Sequence, residues 1–558
     1  MLTPEAASEI VQAHDAYWAS LRDRLREYKN LYMTAYWQKG QLDGVLRTEL
    51  PKAYKVVESY IGSLYAKNPA VNVEADLRGR GNPQVAAASS NQYLIGIREQ
   101  IEDATRLAFI YPCSFIKLAP VESVDPLKRV SCAALPPWEV IVDDTAPSWE
   151  RQRHIGHVYL MPLEEASKRY GKGEDEFNAR PYSRWIDSSN IAGRDLGFGA
   201  TTKAASTDRW VRVAEVYDLL SDKLLVWSPD YAGGKDFLFT GVKVQVGGLD
   251  EDASAETDNT EIEKEIVHET TGIPYKSASG RPVVPIIPVF FSRDPDTPMR
   301  GYSLIGRSLD QFRELNVMRT YQAQGVRRMA RQWLMRAGFL DEAAAAKVSQ
   351  GIDGEVIEVD LPPGASLEGN MMAVPQAPIP ADIIGYASQV DADINDAGLL
   401  APFTRGEVTN STATEQNLLA AYTSSEIGRM ARARDGVITS VAKTYNIMLS
   451  VILGDDAEPL DLPNPVGPTL LSADDLTGDF RYWAVDSGTT PMSDLAKQQA
   501  LERLVPVLVQ LGADPAKVLE EIVRAYQLPE SFAVVLPPPE PAQEPIPEGA
   551  MPQLPEGV

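Results

Sequence analysis

Cysteine is nearly absent: Cys113 and Cys132 are the only two in 558 residues, which excludes a disulfide framework and a cysteine-built metal cluster. Histidine is scarce as well, with only His14, His154, His157 and His268. His154 and His157 share one apolar run, but an odd offset along a strand sends them to opposite faces. Neither has a third ligand at metal-site spacing, so a structural or surface role is expected. There is no G-x-x-x-x-G-K-[ST] loop and no G-x-G-x-x-G after a strand, so nucleotide chemistry has no visible seat. No run approaches the ~18–20 apolar residues of a membrane span. The dense stretch Val283–Phe291 is cut by Pro285 and Pro288, and no basic apolar leader follows Met1. A soluble chain in a reducing compartment is expected.

Positive charge is also in short supply. The 53 Lys and Arg face 78 Asp and Glu, a formal charge of −25. That balance argues against a protein whose main work is gripping nucleic acid. It leaves room for one that lets DNA slide past. The 44 % hydrophobic and 23 % charged content is that of a globular chain long enough for several cores.

Periodicity predicts a helix from Pro4 to about Tyr36, with Thr3 as N-cap and Ile10, His14, Tyr17, Leu21, Tyr28 and Tyr32 on one face. Further helices are expected over Lys52–Ala66 and Ala86–Phe109. A β-rich stretch follows, with strands at Ser114–Ala119, Glu139–Val142, His154–Met161, Val211–Leu220 and Lys223–Ser228. Gly171–Thr207 and the acidic Asp250–Glu265 read as poorly ordered loops. Beyond the extended Arg281–Phe291, the stripe Ile305, Leu309, Phe312, Leu315, Met318, Val326, Met329 and Trp333 predicts one helix over Leu304–Arg336, a rod of about 50 Å. Gly338–Pro380 is a small loop-rich module with a strand-like run at Glu355–Val359. Helix Ala381–Ala397, the connection Leu400–Asn410 and a long helix Ala413–Leu453 come next. Thr412-Ala413-Thr414-Glu415 opens that last helix as a capping box. Met430, Val437, Val441, Tyr445, Met448 and Ile452 mark its inner face. Helices at Asp494–Leu511 and Pro515–Tyr526 precede a Pro- and Glu-rich tail from Pro537, expected to be disordered. The fold class is α+β.

Few residues suggest chemistry. Asp486-Ser487-Gly488-Thr489 after an apolar run has the form of an aspartic-protease turn, but a second aspartate must share the proton. With a single copy, a polar turn is the better reading. The adjacent Asp143-Asp144 also reads as a turn. Arg300–Arg336 carries arginine without lysine, whereas Ala381–Ala397 carries Asp382, Asp391, Asp393 and Asp396 without a base. Pairing of Arg327, Arg328 and Arg331 with Asp391 and Asp393, within a chain or between neighbours, is expected ahead of DNA contact.

The order of long helix, loop-rich module, return helix, short loop and long capped helix resembles the portal (head-to-tail connector) proteins of tailed bacteriophages, the short-tailed type in particular. Pro285-Ile286-Ile287-Pro288-Val289 leading into Leu304–Tyr321, Thr412-Ala413-Thr414-Glu415, and Pro137–Asp143 with His154–Tyr159 carry the likeness. The resemblance implies a wing over residues 1–283, a first stem helix within 284–337, a clip at 338–380 and a second stem helix at 381–399. It further implies a tunnel loop at 400–411, its supporting helix and the rest of the wing at 412–490, a short crown at 491–536, and the tail at 537–558. Thr404, Arg405, Glu407 and Asn410 would then face DNA, with Thr412 and Glu415 capping the tunnel helix.

The resemblance implies a homo-oligomeric ring, of twelve subunits in this family, at one capsid vertex of the virion after assembly in the host cytoplasm. It passes double-stranded DNA non-specifically during packaging and ejection. Its implied partners are the terminase large subunit, a tail adaptor, and the major capsid and scaffolding proteins, with no membrane. It is not an enzyme and needs no cofactor or metal. A protease centred on Asp486, or a capsid scaffold or adaptor without a channel, are the alternatives.

Overall fold

The computed structural model describes residues 2–37, 47–75, 81–181, 209–240, 242–245, 267–270, 272–329, 333–335, 371–373, 381–397, 413–454, 457–462 and 466–485. Helix α1 (Pro4–Tyr32) starts as expected, with Thr3 Oγ1 accepting from Ala6 N at 3.3 Å and Pro4 in the first turn. It stops short of Tyr36 because Thr34 takes a left-handed φ of 54°. Its buried line runs through Ala7, Val11, His14, Trp18, Leu25, Tyr28 and Leu31: His14 and Tyr28 are buried as expected, whereas Ile10, Tyr17, Leu21 and Tyr32 lie half-buried beside it. The face turns toward Trp18, whose large side chain gains most by leaving water.

Helix α2 (Lys52–Leu64) precedes strand β1 (Val71–Ala75). The single helix expected over Ala86–Phe109 is two, α3 (Pro83–Gly96) and α4 (Arg98–Ile110). The break falls at Ile97, directly after Gly96, the residue least costly to place at a helix end.

Strands β2 (Ser114–Pro120), β3 (Val130–Leu135), β4 (Val140–Val142) and β5 (His154–Pro162) lead to helix α5 (Leu163–Tyr170). Strands β6 (Arg180–Pro181), β7 (Arg209–Asp218), β8 (Lys223–Trp227), β9 (Phe237–Thr240), β10 (Val242–Gln245), β11 (Val267–Thr270) and β12 (Ile286–Val289) follow. The larger sheet has order β4-β5-β7-β8-β9 with β6 also on β7, and a second sheet is β12-β2-β3. Strand β3 escaped the sequence pattern because Ser131-Cys132-Ala133-Ala134 has weak strand preference. The loop expected from Gly171 is held over its first ten residues: Gly171 closes α5 at φ 64°, and Phe177 and Arg180 pair with Tyr231 and Trp210.

Helices α6 (Leu304–Arg307) and α7 (Leu309–Met329) are separated at Ser308, and strands β13 (Trp333–Met335) and β14 (Met371–Ala373) pair beyond them. The expected unbroken rod over Leu304–Arg336 is therefore wrong. The longer piece, α7, measures about 30 Å, and Trp333 sits in a strand, a geometry its ring favours. The inner face of α7 also carries Asn316 and Thr320, which accept from Leu50 N and Thr48 N at 3.0 Å each. These polar positions stitch α7 to the chain ahead of α2.

Helix α8 (Ala381–Ala397) matches its expected bounds, as does α9 (Ala413–Leu453). The chain then forms the pair β15 (Glu458–Leu462) and β16 (Gly467–Leu471), helix α10 (Ala473–Leu476), and β17 (Phe480–Ala484), which pairs with β1. Among the described residues the strands pair antiparallel throughout. Helices and antiparallel sheets together make the fold α+β.

The main core joins α1–α4, α7 and α9. Met430, Val437, Val441, Tyr445, Met448 and Ile452 are all buried in it, and Tyr445 stacks on Tyr93 at 3.9 Å. By length and composition alone Ile427–Leu453 is apolar enough to cross a membrane, yet most of it is covered by this core. The strand-like run Glu355–Val359, the acidic Asp250–Glu265, the expected helices beyond Asp494 and the Pro-rich tail lie outside the described residues.

Candidate functional site

Two regions draw functional side chains together. The first lies between the two sheets. In β5 and β7 the register sets His157 opposite Glu215, and the two-residue repeat puts Tyr159 and Tyr217 on the same face. Lys117 reaches this face from β2 of the other sheet. Its Nζ lies 2.5 Å from Glu215 Oε2 and 2.9 Å from His157 Nδ1, while Tyr159 OH donates to Glu215 Oε1 at 2.7 Å. His157 stacks on Tyr159 with ring centroids 4.7 Å apart.

Electrostatics fix the protonation here. Burial opposes ionisation of Glu215, but the charge of Lys117 and the hydrogen bonds from Lys117 and Tyr159 outweigh it and bring its pKa to about 2. Burial first, and Lys117 second, hold His157 down to about 3. His157 is therefore neutral and accepts a hydrogen bond from Lys117 on Nδ1, which leaves the ring hydrogen on Nε2, buried and without a hydrogen-bond partner among the described residues. His154 faces away from this cluster, as the odd offset requires, and is half-buried. A cavity of about 140 Å³ opens beside the pair, with Arg169 and Tyr170 of α5 in its wall.

Neighbouring charges are structural. Arg300 is buried, lies 3.9 Å above the Tyr17 ring and 5.0 Å from that of Trp18, and pairs with Asp144 at 2.7 Å. Asp143 accepts from Thr145 N at 3.0 Å and from Arg153, whose hydrogen bond holds its carboxyl well below the usual range. Ala146 N closes the turn on Asp143 O at 3.1 Å. Asp143-Asp144 is thus a turn, and among the described residues no cluster of three or more His, Cys, Asp or Glu could hold a metal.

The second region is the pair α7 and α8. Gln322 Nε2 donates to Ile383 O at 3.3 Å, and Tyr386 OH donates to Glu314 Oε1 at 2.6 Å, so the helices run side by side in opposite directions. Arg327 and Arg328 occupy the last turn of α7. Asp391 pairs with Lys52 of α2 at 2.9 Å and accepts from Asn395 Nδ2 at 3.3 Å, whereas Asp393 is exposed. Arg313 of α7 makes two 2.5 Å contacts to Glu27 of α1. Glu415 lies in the first turn of α9. Arg331, Thr404, Arg405, Glu407, Asn410, Thr412 and Asp486 lie outside the described residues; the strand expected just before Asp486 is β17.

Sequence reasoning passed over Lys117 and Glu215. The available signal was a charge flanked on both sides by apolar residues in each of two strands, Phe115-Ile116-Lys117-Leu118 and Val213-Ala214-Glu215-Val216. A buried charge of that kind needs a partner. The sequence does not say that each is the partner of the other. No protein-family model matches the chain, and no curated protein matches it.

Proposed function

We propose that this chain is the subunit of a ring-forming portal protein of the tailed-phage type. The observation that carries the reading is the order α7, the β13–β14 pair, the antiparallel return helix α8, and the 41-residue α9 whose second half anchors in the main core. In a portal, α7 and α8 would be stem helices, β13 and β14 would belong to the clip, and the antiparallel sheets would form the wing. The segment around Thr404, Arg405, Glu407 and Asn410 would reach toward the channel.

The physics of a ring suits such a chain. A closed cyclic assembly uses one heterologous contact repeated until it closes. The excess of acid, −25 per chain, disfavours tight retention of DNA phosphate and favours passage. The activity is mechanical: a channel for packaging and ejection at one capsid vertex, and a dock for the terminase large subunit and a tail adaptor. Twelve subunits is the expected ring size.

Native mass measurement and electron microscopy of the purified chain test this. Closed rings with a central hole, at about twelve times the chain mass, are expected. A monomer or dimer at micromolar concentration, with no ring in any image, would sink the reading.

A further inference from the structure

The cavity beside Lys117 and Glu215 holds about 140 Å³, close to the ~150 Å³ that accepts one benzene molecule. Tyr217, Tyr275 and Phe239 supply aromatic walls, and Lys117, Glu215 and Arg169 supply the charge. Those charges do not balance. Glu215 is committed to Lys117 at 2.5 Å and to Tyr159 at 2.7 Å. The Arg169 guanidinium stands 3.8 Å from the same carboxylate, beyond hydrogen-bond distance, on a side chain that is 54 % exposed. Guanidinium keeps its proton at any working pH. The Arg169 fork at the edge of this aromatic-walled pocket thus holds neither nearby acid by a hydrogen bond among the described residues, Glu215 standing at 3.8 Å and Glu165 one turn earlier on α5.

We propose that this cavity binds a small organic monocarboxylate with a flat apolar body. The ligand carboxylate meets the Arg169 fork, and its body lies between the aromatic walls. A paired N–H···O geometry suits arginine and carboxylate, and convergent polar groups on an apolar lining are the usual make-up of a small-ligand site. A cationic ligand would meet Arg169 and Lys117 with Glu215 already neutralised. Inorganic phosphate would lose hydration and leave the apolar walls unfilled. The proposal does not depend on ring formation, because every residue in it comes from one chain.

Calorimetric titration of the full-length chain at pH 7.5 tests it, with benzoate as probe and benzylamine and inorganic phosphate as comparators. Benzoate should bind saturably, one per chain, with benzylamine and phosphate at least about tenfold weaker. Arg169→Ala changes a half-exposed side chain and should cost at least about tenfold in benzoate affinity with an unaltered circular dichroism spectrum. Val226→Phe, which narrows the cavity without touching charge, should weaken binding too. Absence of saturation by about 20 mM benzoate would overturn the proposal, as would equal binding of a comparator or undiminished affinity in Arg169→Ala.

Discussion

Lys117 Nζ and Glu215 Oε2 stand 2.5 Å apart although they come from different sheets, one from β2 and the other from β7. The pair therefore ties the two sheets together at a point where both are largely closed to water. Tyr159 and His157 complete it, the first donating to the carboxylate and the second accepting from the ammonium.

Removing one partner should be costly and removing both should be less so. Lys117→Met leaves Glu215 buried with only Tyr159 as a close donor, a loss of about 3–5 kcal/mol. The double variant Lys117→Met/Glu215→Leu removes both charges and should recover much of that loss. Urea denaturation of the two single variants and the double closes the cycle. Strict additivity would show that the two residues are not coupled.

Acid should weaken the fold through its buried histidines. His14 is pressed down to about 4 by burial, against the opposing hydrogen bond to Trp138 O, and His157 to about 3. The unfolded chain, with histidines near 6.5, takes up these protons first. The histidine contribution is thus complete above pH 6.5 and is lost as pH falls toward 4 and 3. Glu139 acts in the opposite sense, because burial raises its carboxyl to about 7 and the folded state takes up that proton first. His14 and His157 against Glu139 leave a net loss of at least about 1.4 kcal/mol per pH unit between 6.5 and 5, and His154, which burial also lowers, adds to it. Glu139→Gln should steepen that slope by about 1.4 kcal/mol per pH unit. Thermal melting across this window measures it, and a flat profile in both proteins would contradict the assignment.

Charge reversal on α8 tests the assembly surface. Asp391→Lys/Asp393→Lys breaks the Lys52–Asp391 pair and makes an acidic stretch of α8 basic, so that it would repel the arginines of α7 or of a neighbouring subunit. The lost pair itself is worth about 0.5 kcal/mol at its exposure. Any fall in ring population well beyond that marks repulsion between helices or subunits. Mass photometry at low salt should show fewer rings and more monomer. Unchanged assembly would mean that Arg327, Arg328 and Arg331 serve another purpose, contact with DNA included.

Several elements were legible because their signal is local. Thr3-Pro4 fixes the start of α1, and the apolar stripe from Met430 to Ile452 fixes the inner face of α9. The bounds of α8 and α9 also follow from composition and spacing, since a helix closes its own hydrogen bonds within four residues. The misplaced elements were those in which local preference met a distant demand. Leu304–Arg336 has helical spacing throughout, yet Trp333–Met335 pairs with Met371–Ala373. On α1 the buried positions Val11 and Trp18 stand next to the expected Ile10 and Tyr17, because the large Trp18 ring packs into the main core.

The sequence by itself determined the α+β character, the acid excess and the succession of long helices on which the portal reading rests. Only the tertiary structure decided that Lys117 belongs with Glu215, that Asp391 pairs with Lys52, and that Arg169 stands over a cavity. Sheet register and interlayer packing join residues about a hundred positions apart, and no pattern within a short window encodes which buried charge meets which.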